Sequence, residues 1–114
     1  MKRTQVKPYQ EPKPKVFLAQ LGDMAKKKSL KIFSELEKNG ILIAESFGRG
    51  SLKSQMRVSN RIGAEVTIII GQKEALDETA IVKDMVSGTQ ETVTQEKLVD
   101  AVKKVLKANQ LLNA

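Results

Sequence analysis

The chain contains no histidine, no cysteine and no tryptophan. Without histidine it lacks the commonest general base, the Ser-His triads and the usual nitrogen ligand for transition metals. Without cysteine it can form neither a disulfide nor a thiolate site, which fits a reducing compartment. Carboxylates and lysines alone remain for side-chain catalysis, and none stands in a recognisable catalytic spacing. An autonomous enzyme is therefore not expected. Aromatics are scarce, three Phe and one Tyr, so a stacking platform of the single-strand-binding type has little to build on. No window approaches the ~18 consecutive apolar residues needed to span a bilayer. The N-terminus, KRTQVKPYQEPKPK, has no apolar segment of a secretory signal. All the prolines, Pro8, Pro12 and Pro14, fall within it. Residues 1–14 thus read as a flexible Pro/Lys-rich linker and residues 15–114 as one domain, large enough for a core without staples.

What is present is charge, unevenly placed. The net charge is +7, of which residues 1–15 supply +4 (five Lys/Arg, one Glu) and residues 16–114 only +3 (fifteen Lys/Arg, twelve Asp/Glu). The folded part is mildly basic, so the overall balance is weak evidence for a polyanion partner. A local cluster says more. Arg49, Lys53, Arg57 and Arg61 recur every four residues, and no acid occurs over residues 47–64. At about 100° per helical residue a step of four drifts by only ~40°, so these cations form one ridge on a helix. Leu52, Met56, Ser59 and Gly63 line an adjoining face. A solvated helix can show such spacing, but it usually mixes signs, because like charges four apart destabilise by about 0.2–0.5 kcal/mol per pair. An unbroken succession favours a polyanion site, beside the C-terminal end of a buried strand. The segment GRGSLK (residues 48–53) also puts two glycines before a helix. It matches neither GxxxxGK[ST] nor GxGxxG and reads as a strand-to-helix turn, compatible with phosphate contacts. Lys26, Lys27, Lys28 and Lys31 spread around their helix and read as a solvating face.

Coarse periodicity gives the frame. Residues 15–20 (KVFLAQ) form a first strand. A helix opens at Gly22-Asp23, with Asp23 a possible N-cap, places Ala25, Ser29, Ile32, Phe33 and Leu36 at helical spacing, and stops at Asn39-Gly40. Residues 41–46 form a second strand. The basic helix covers residues 51–62 and stops at Gly63; residues 65–70 form a third strand, ending in the loop Gly71-Gln72-Lys73-Glu74. This alternation favours parallel strands with right-handed crossovers. Residues 79–86 and 90–94, separated by Ser87-Gly88-Thr89, suggest a hairpin with a three-residue loop. A last helix starts near Gln95, capped by Thr94, buries Leu98, Val102, Val105 and Leu106, and frays over residues 109–114. The expected fold class is α/β: a five-stranded mixed sheet, first three strands parallel and a C-terminal hairpin, with three helices. Phe17 and Phe33 belong to the core and Phe47 lies beside the ridge.

Over residues 15–107, the successions KVFLAQLGDMAKKKSLKIFSELEKNGILIAES, GRGSLKSQMR, IGAEVTIIIGQKE and TAIVKDMVSGTQETV resemble the C-terminal anticodon-binding domain of class IIa aminoacyl-tRNA synthetases. They are most similar to that of histidyl-tRNA synthetase. The resemblance implies the same five-stranded fold and a role in recognising the anticodon stem-loop of histidine tRNA. It implies a homodimeric, cytoplasmic parent that joins histidine to its tRNA using ATP and Mg in a catalytic domain that nothing in this chain resembles. The piece itself is expected to use no cofactor or metal, to meet no membrane and to catalyse nothing. Alternatives are the same domain of a threonyl, prolyl or glycyl enzyme, a stand-alone synthetase-like RNA-binding protein, and a protein-interaction module. Matching motifs carry the RNA-binding role onto Arg49 in the turn, Arg57 in the helix, Glu74 closing GQKE and Lys83 in IVKD. Lys53 and Arg61 are added from the ridge geometry. No residue is expected to be catalytic or to bind metal.

Overall fold

A computed structural model describes residues 14–45 and 51–112. The expected linker up to residue 13, and residues 46–50 with Phe47 and Arg49, lie outside the described residues. The elements run β1 (Val16–Gln20), α1 (Asp23–Lys38), β2 (Ile43–Glu45), α2 (Leu52–Ile62), β3 (Val66–Ile70), α3 (Gln72–Asp77), β4 (Thr79–Asp84) and β5 (Gln90–Thr94). A 3-10 turn (Gln95–Lys97) then leads into α4 (Leu98–Leu112). The sheet order is β2-β1-β3-β4-β5. β1 runs parallel to β2 and β3, while β4 is antiparallel to β3 and to β5.

This order decides which helix lies where. The steps from β1 to β2 and from β2 to β3 cross the sheet in opposite directions. Right-handed crossovers must then put α1 and α2 on opposite faces. Burial agrees. On one face Val16, Leu18, Ile68 and Val82 pack with Ala25, Ile32 and Leu36 of α1, Ala75 of α3, and Leu98 and Val102 of α4. On the other, Phe17, Ala19 and Ile69 pack with Leu52, Met56 and Ile62 of α2. Because β1 and β3 are covered on both sides, all their residues are buried, which is why they read as apolar runs interrupted only by Gln20 and Thr67.

Four features depart from the sequence-based expectation. The loop after β3 is a short fourth helix, α3. Glu74 folds back and accepts a hydrogen bond from the Gly71 N–H at 2.8 Å, which satisfies an otherwise free donor at the helix start. Asp23 is not the N-cap of α1: Gly22 is, with no side-chain bond. Thr94 makes no capping bond either, and α4 is entered through the 3-10 turn and continues to Leu112 instead of fraying. The hairpin connection is longer than three residues, covering residues 85–89. Asp84 shapes it by accepting from the N–H groups of Val86 (3.0 Å) and Ser87 (3.4 Å), the local bonding that lets Asp terminate strands. Burial opposes ionisation of Asp84, but these bonds, with others from the Ser87 side chain and Asn109, hold its carboxyl below the ordinary value.

Candidate nucleic-acid interface

The interface is built on α2. Ser51 caps its N-terminus, its oxygen accepting from the Ser54 N–H at 3.2 Å. Gly63 closes it in the left-handed conformation, φ 76°, where a side chain would be strained. Between them, positions separate by the helical period. Leu52, Gln55, Met56, Ser59 and Ile62 point toward the sheet, and Lys53, Arg57 and Arg61 are exposed on the far side. Arg61 sits in the last turn, where the helix dipole favours a cation; Lys53 sits in the first turn, which holds no acid. A cation there costs the helix roughly 0.3–1 kcal/mol. Helix stability therefore does not explain the arrangement.

Two buried polar contacts hold α2 at one roll angle. The Ser59 and Thr67 hydroxyls meet at 2.7 Å between α2 and β3. At the end of β1, the Leu21 N–H donates to the Ile70 carbonyl of β3. The N–H and C=O of Gln20 therefore point the other way, toward β2. The last described pair with that strand is Leu18 with Glu45. The Gln55 carboxamide meets this backbone edge, its oxygen accepting from Gln20 N at 2.9 Å and its nitrogen donating to Gln20 O at 2.9 Å. It pairs with Gln20 as a backbone peptide would. Sequence reasoning missed Gln55 and Thr67. The signal for Gln55 was a fully polar residue between Leu52 and Met56 on the sheet-facing side.

Lys83 lies on the same side of the sheet. Its β4 neighbours Ala80 and Val82 enter the α1-side core, so Ile81 and Lys83 face the α2 side. Lys83 is paired with Thr67 and Gln90 and is half-buried. Through Thr67 it lies level with Ser59, alongside the second half of α2. Glu74 is elsewhere: α3 packs through Ala75 on the α1 side, and the carboxylate is folded over Gly71. A Cβ on Gly71 would approach that oxygen to 2.8 Å, so a side chain there would push the flexible Glu74 carboxylate aside. The structure thus groups Lys53, Arg57, Arg61 and Lys83 on one side, and sets Glu74 beyond the end of β3. Arg49 lies outside the described residues.

The opposite layer has another character. A cleft between α1, α3 and the end of β5 is lined by Glu35, Asp77, Glu78 and Glu96, with Lys31. At the sheet end, Glu45 accepts from the Gln20 side chain at 2.9 Å. Its burial raises the carboxyl above the ordinary value, and that hydrogen bond offsets part of the shift. Among the described residues no His/Cys/Asp/Glu cluster could hold a metal ion, and no helix is long and apolar enough to cross a membrane. Anion binding on the α2 side is what this distribution of charge can perform.

Comparison with known proteins points the same way. The family described as "Anticodon binding domain" matches residues 15–105. A histidine–tRNA ligase of Dehalococcoides mccartyi is 34% identical over 91% of this chain, and one of Staphylococcus aureus is 34% identical over 78%. The chain spans only 25% of the former and 21% of the latter. Among solved structures, apo histidyl-tRNA synthetase of S. aureus superposes with a TM-score of 0.72 at 30% identity, covering 84% of this chain and 28% of that one. A prolyl-tRNA synthetase of Cryptosporidium parvum has a TM-score of 0.78 over 88% of this chain and 22% of that one. At 14% identity it speaks for the fold alone. The chain belongs to the anticodon-binding domain family, in the form found in proteins similar to histidyl-tRNA synthetases.

Proposed function

We propose that the chain recognises the anticodon loop of a tRNA, histidine tRNA foremost, as a binding module without chemistry of its own. The parent in this reading is a cytoplasmic, homodimeric ligase that joins histidine to its tRNA, and ATP and magnesium act in its catalytic part. The observation that carries the proposal is the exposed, acid-free ridge Lys53, Arg57, Arg61 on a helix whose roll is fixed by buried polar contacts. Such a ridge neutralises phosphates and sets the register of the loop, leaving discrimination to groups that meet base edges. Lys83, Glu74 and Arg49 are proposed for that second role or for flanking phosphates.

The test is the salt dependence of binding to an RNA stem-loop that carries the histidine anticodon. For single-stranded contacts, log K falls with log salt by about 0.7 per phosphate neutralised. Arg57→Ala is expected to weaken binding and to make the slope shallower by about that amount. Unchanged affinity and slope in Arg57→Ala would reduce the ridge to a solvated face and remove the proposal.

A further inference from the structure

Strand parity sorts the side chains of the β4–β5 hairpin in a way no motif in the sequence announces. Lys83 pairs with Gln90, Ile81 with Thr92, and Thr79 with Thr94. All six face the α2 side, because the alternate residues Ala80, Val82 and Val93 pack into the α1-side core. The acids Asp84 and Glu91 have the opposite parity and line a cleft with Val105 of α4, which Gln90 at the strand end also borders. The two faces therefore differ in charge: acidic toward α4, cationic and neutral toward α2. They also differ in cover. α4 lies over β4 and β5, whereas α2 lies over β1. Gln90, Thr92 and Thr94 are exposed, while Ile81 and Lys83 are half-buried at the border with the α2 cluster.

Resting on the anticodon reading above, we infer that this open face is the floor on which unpaired bases of the RNA loop are read, with Gln90 and Thr92 as specificity-determining residues. A single-stranded loop is the occupant the chemistry selects. The face lies beside the cationic ridge and carries one cation of its own in Lys83, and none of its six residues is acidic. Gln90 offers both donor and acceptor to a base edge, the Thr92 hydroxyl does the same, and the Ile81 side chain and threonine methyl groups give apolar contact to base planes. Cross-strand neighbours stand about 5 Å apart, so one base can touch both strands.

The experiment compares two charge substitutions and two neutral ones, with the same stem-loop and versions altered at single anticodon positions. Thr92→Glu puts a carboxylate on the floor; Lys104→Glu alters exposed α4 and changes the net charge twice as much. Thr92→Glu is expected to weaken binding roughly tenfold, and more than Lys104→Glu does. Thr92→Val, which keeps shape and strand propensity, and Gln90→Ala are expected to lower the preference for the cognate loop severalfold without altering the salt slope. Equal losses from Thr92→Glu and Lys104→Glu, or full preference retained in Thr92→Val, would overturn the inference while leaving the anticodon reading intact. Failure of the unaltered chain to prefer the stem-loop, or indifference to Arg57→Ala, would remove that reading and this inference with it.

Discussion

Gln55 holds the helix that carries the ridge to the end of β1. It needs both an acceptor and a donor, because Gln20 presents an N–H and a C=O together. Glutamate keeps the shape but, when ionised, cannot donate, and it buries a charge. Gln55→Glu is therefore expected to lower stability by about 3 kcal/mol at neutral pH. Burial raises the folded-state carboxyl pKa of the new residue, so the lost stability should return as pH falls toward that value and the protonated acid donates to Gln20 O. Thermal midpoints across the acid range check this; a pH-independent loss would mean that shape, not bonding, is at stake. Glu74 poses a different problem, since its carboxylate already holds the Gly71 N–H. Glu74→Gln retains an acceptor for that N–H, while Glu74→Ala removes the cap at about 1 kcal/mol. If Glu74 also reads a base, the Gln variant should lose preference for the cognate stem-loop and keep its stability and salt slope. Equal preference in the Gln variant and the unaltered chain would leave Glu74 with a structural role only.

Among elements, the strands and the basic helix were legible because their patterns are local. Val66–Ile70 is apolar but for Thr67, and α2 has its cap residue, its period and its stop in sequence order. α3 was not legible, since GQKE reads as a turn until Glu74 is seen folded over Gly71. The β5 side chains were unassignable for a related reason: which of Gln90 or Glu91 faces α2 depends on register with β4, and register is a long-range fact. The same limit applies to Gln55, whose partner lies 35 residues away. The hairpin turn allows a further test. The folded-state pKa of Asp84 is lowered, so it contributes stability above its ordinary value, and that contribution is lost as pH falls through the folded value. Asp84→Asn should accordingly be less stable near neutrality and lose less on acidification below about pH 4. Parallel stability–pH curves for the two proteins would show that the turn does not depend on this charge. Glu45 acts in the opposite sense, its raised value favouring the fold as pH falls, so the comparison must be made against the same Glu45 background.

At the scale of the molecule, the sheet is a partition between two chemical environments. The α1, α3 and α4 layer mixes signs and carries the acidic cleft; its ion pair, Lys28 with Glu78 at 3.7 Å, is at the surface and contributes little. Among the described residues, Lys53, Arg57 and Arg61 of α2 form no ion pair. Neither composition nor pI could show this separation, since it arises from reversal of strand order between β1, β2 and β3. The attachment of α2 has its own consequence. Gln55 is fastened to main-chain atoms of Gln20, which every residue except proline would offer at that position. The outward side chains of the helix take no part in that fastening. The mount and the surface it displays can therefore vary independently. A lineage could exchange Lys53, Arg57 or Arg61 one at a time, altering the charge the helix displays, without losing foldability at each step. The domain is in this sense an evolvable chassis, and its address is written on the side that holds nothing together.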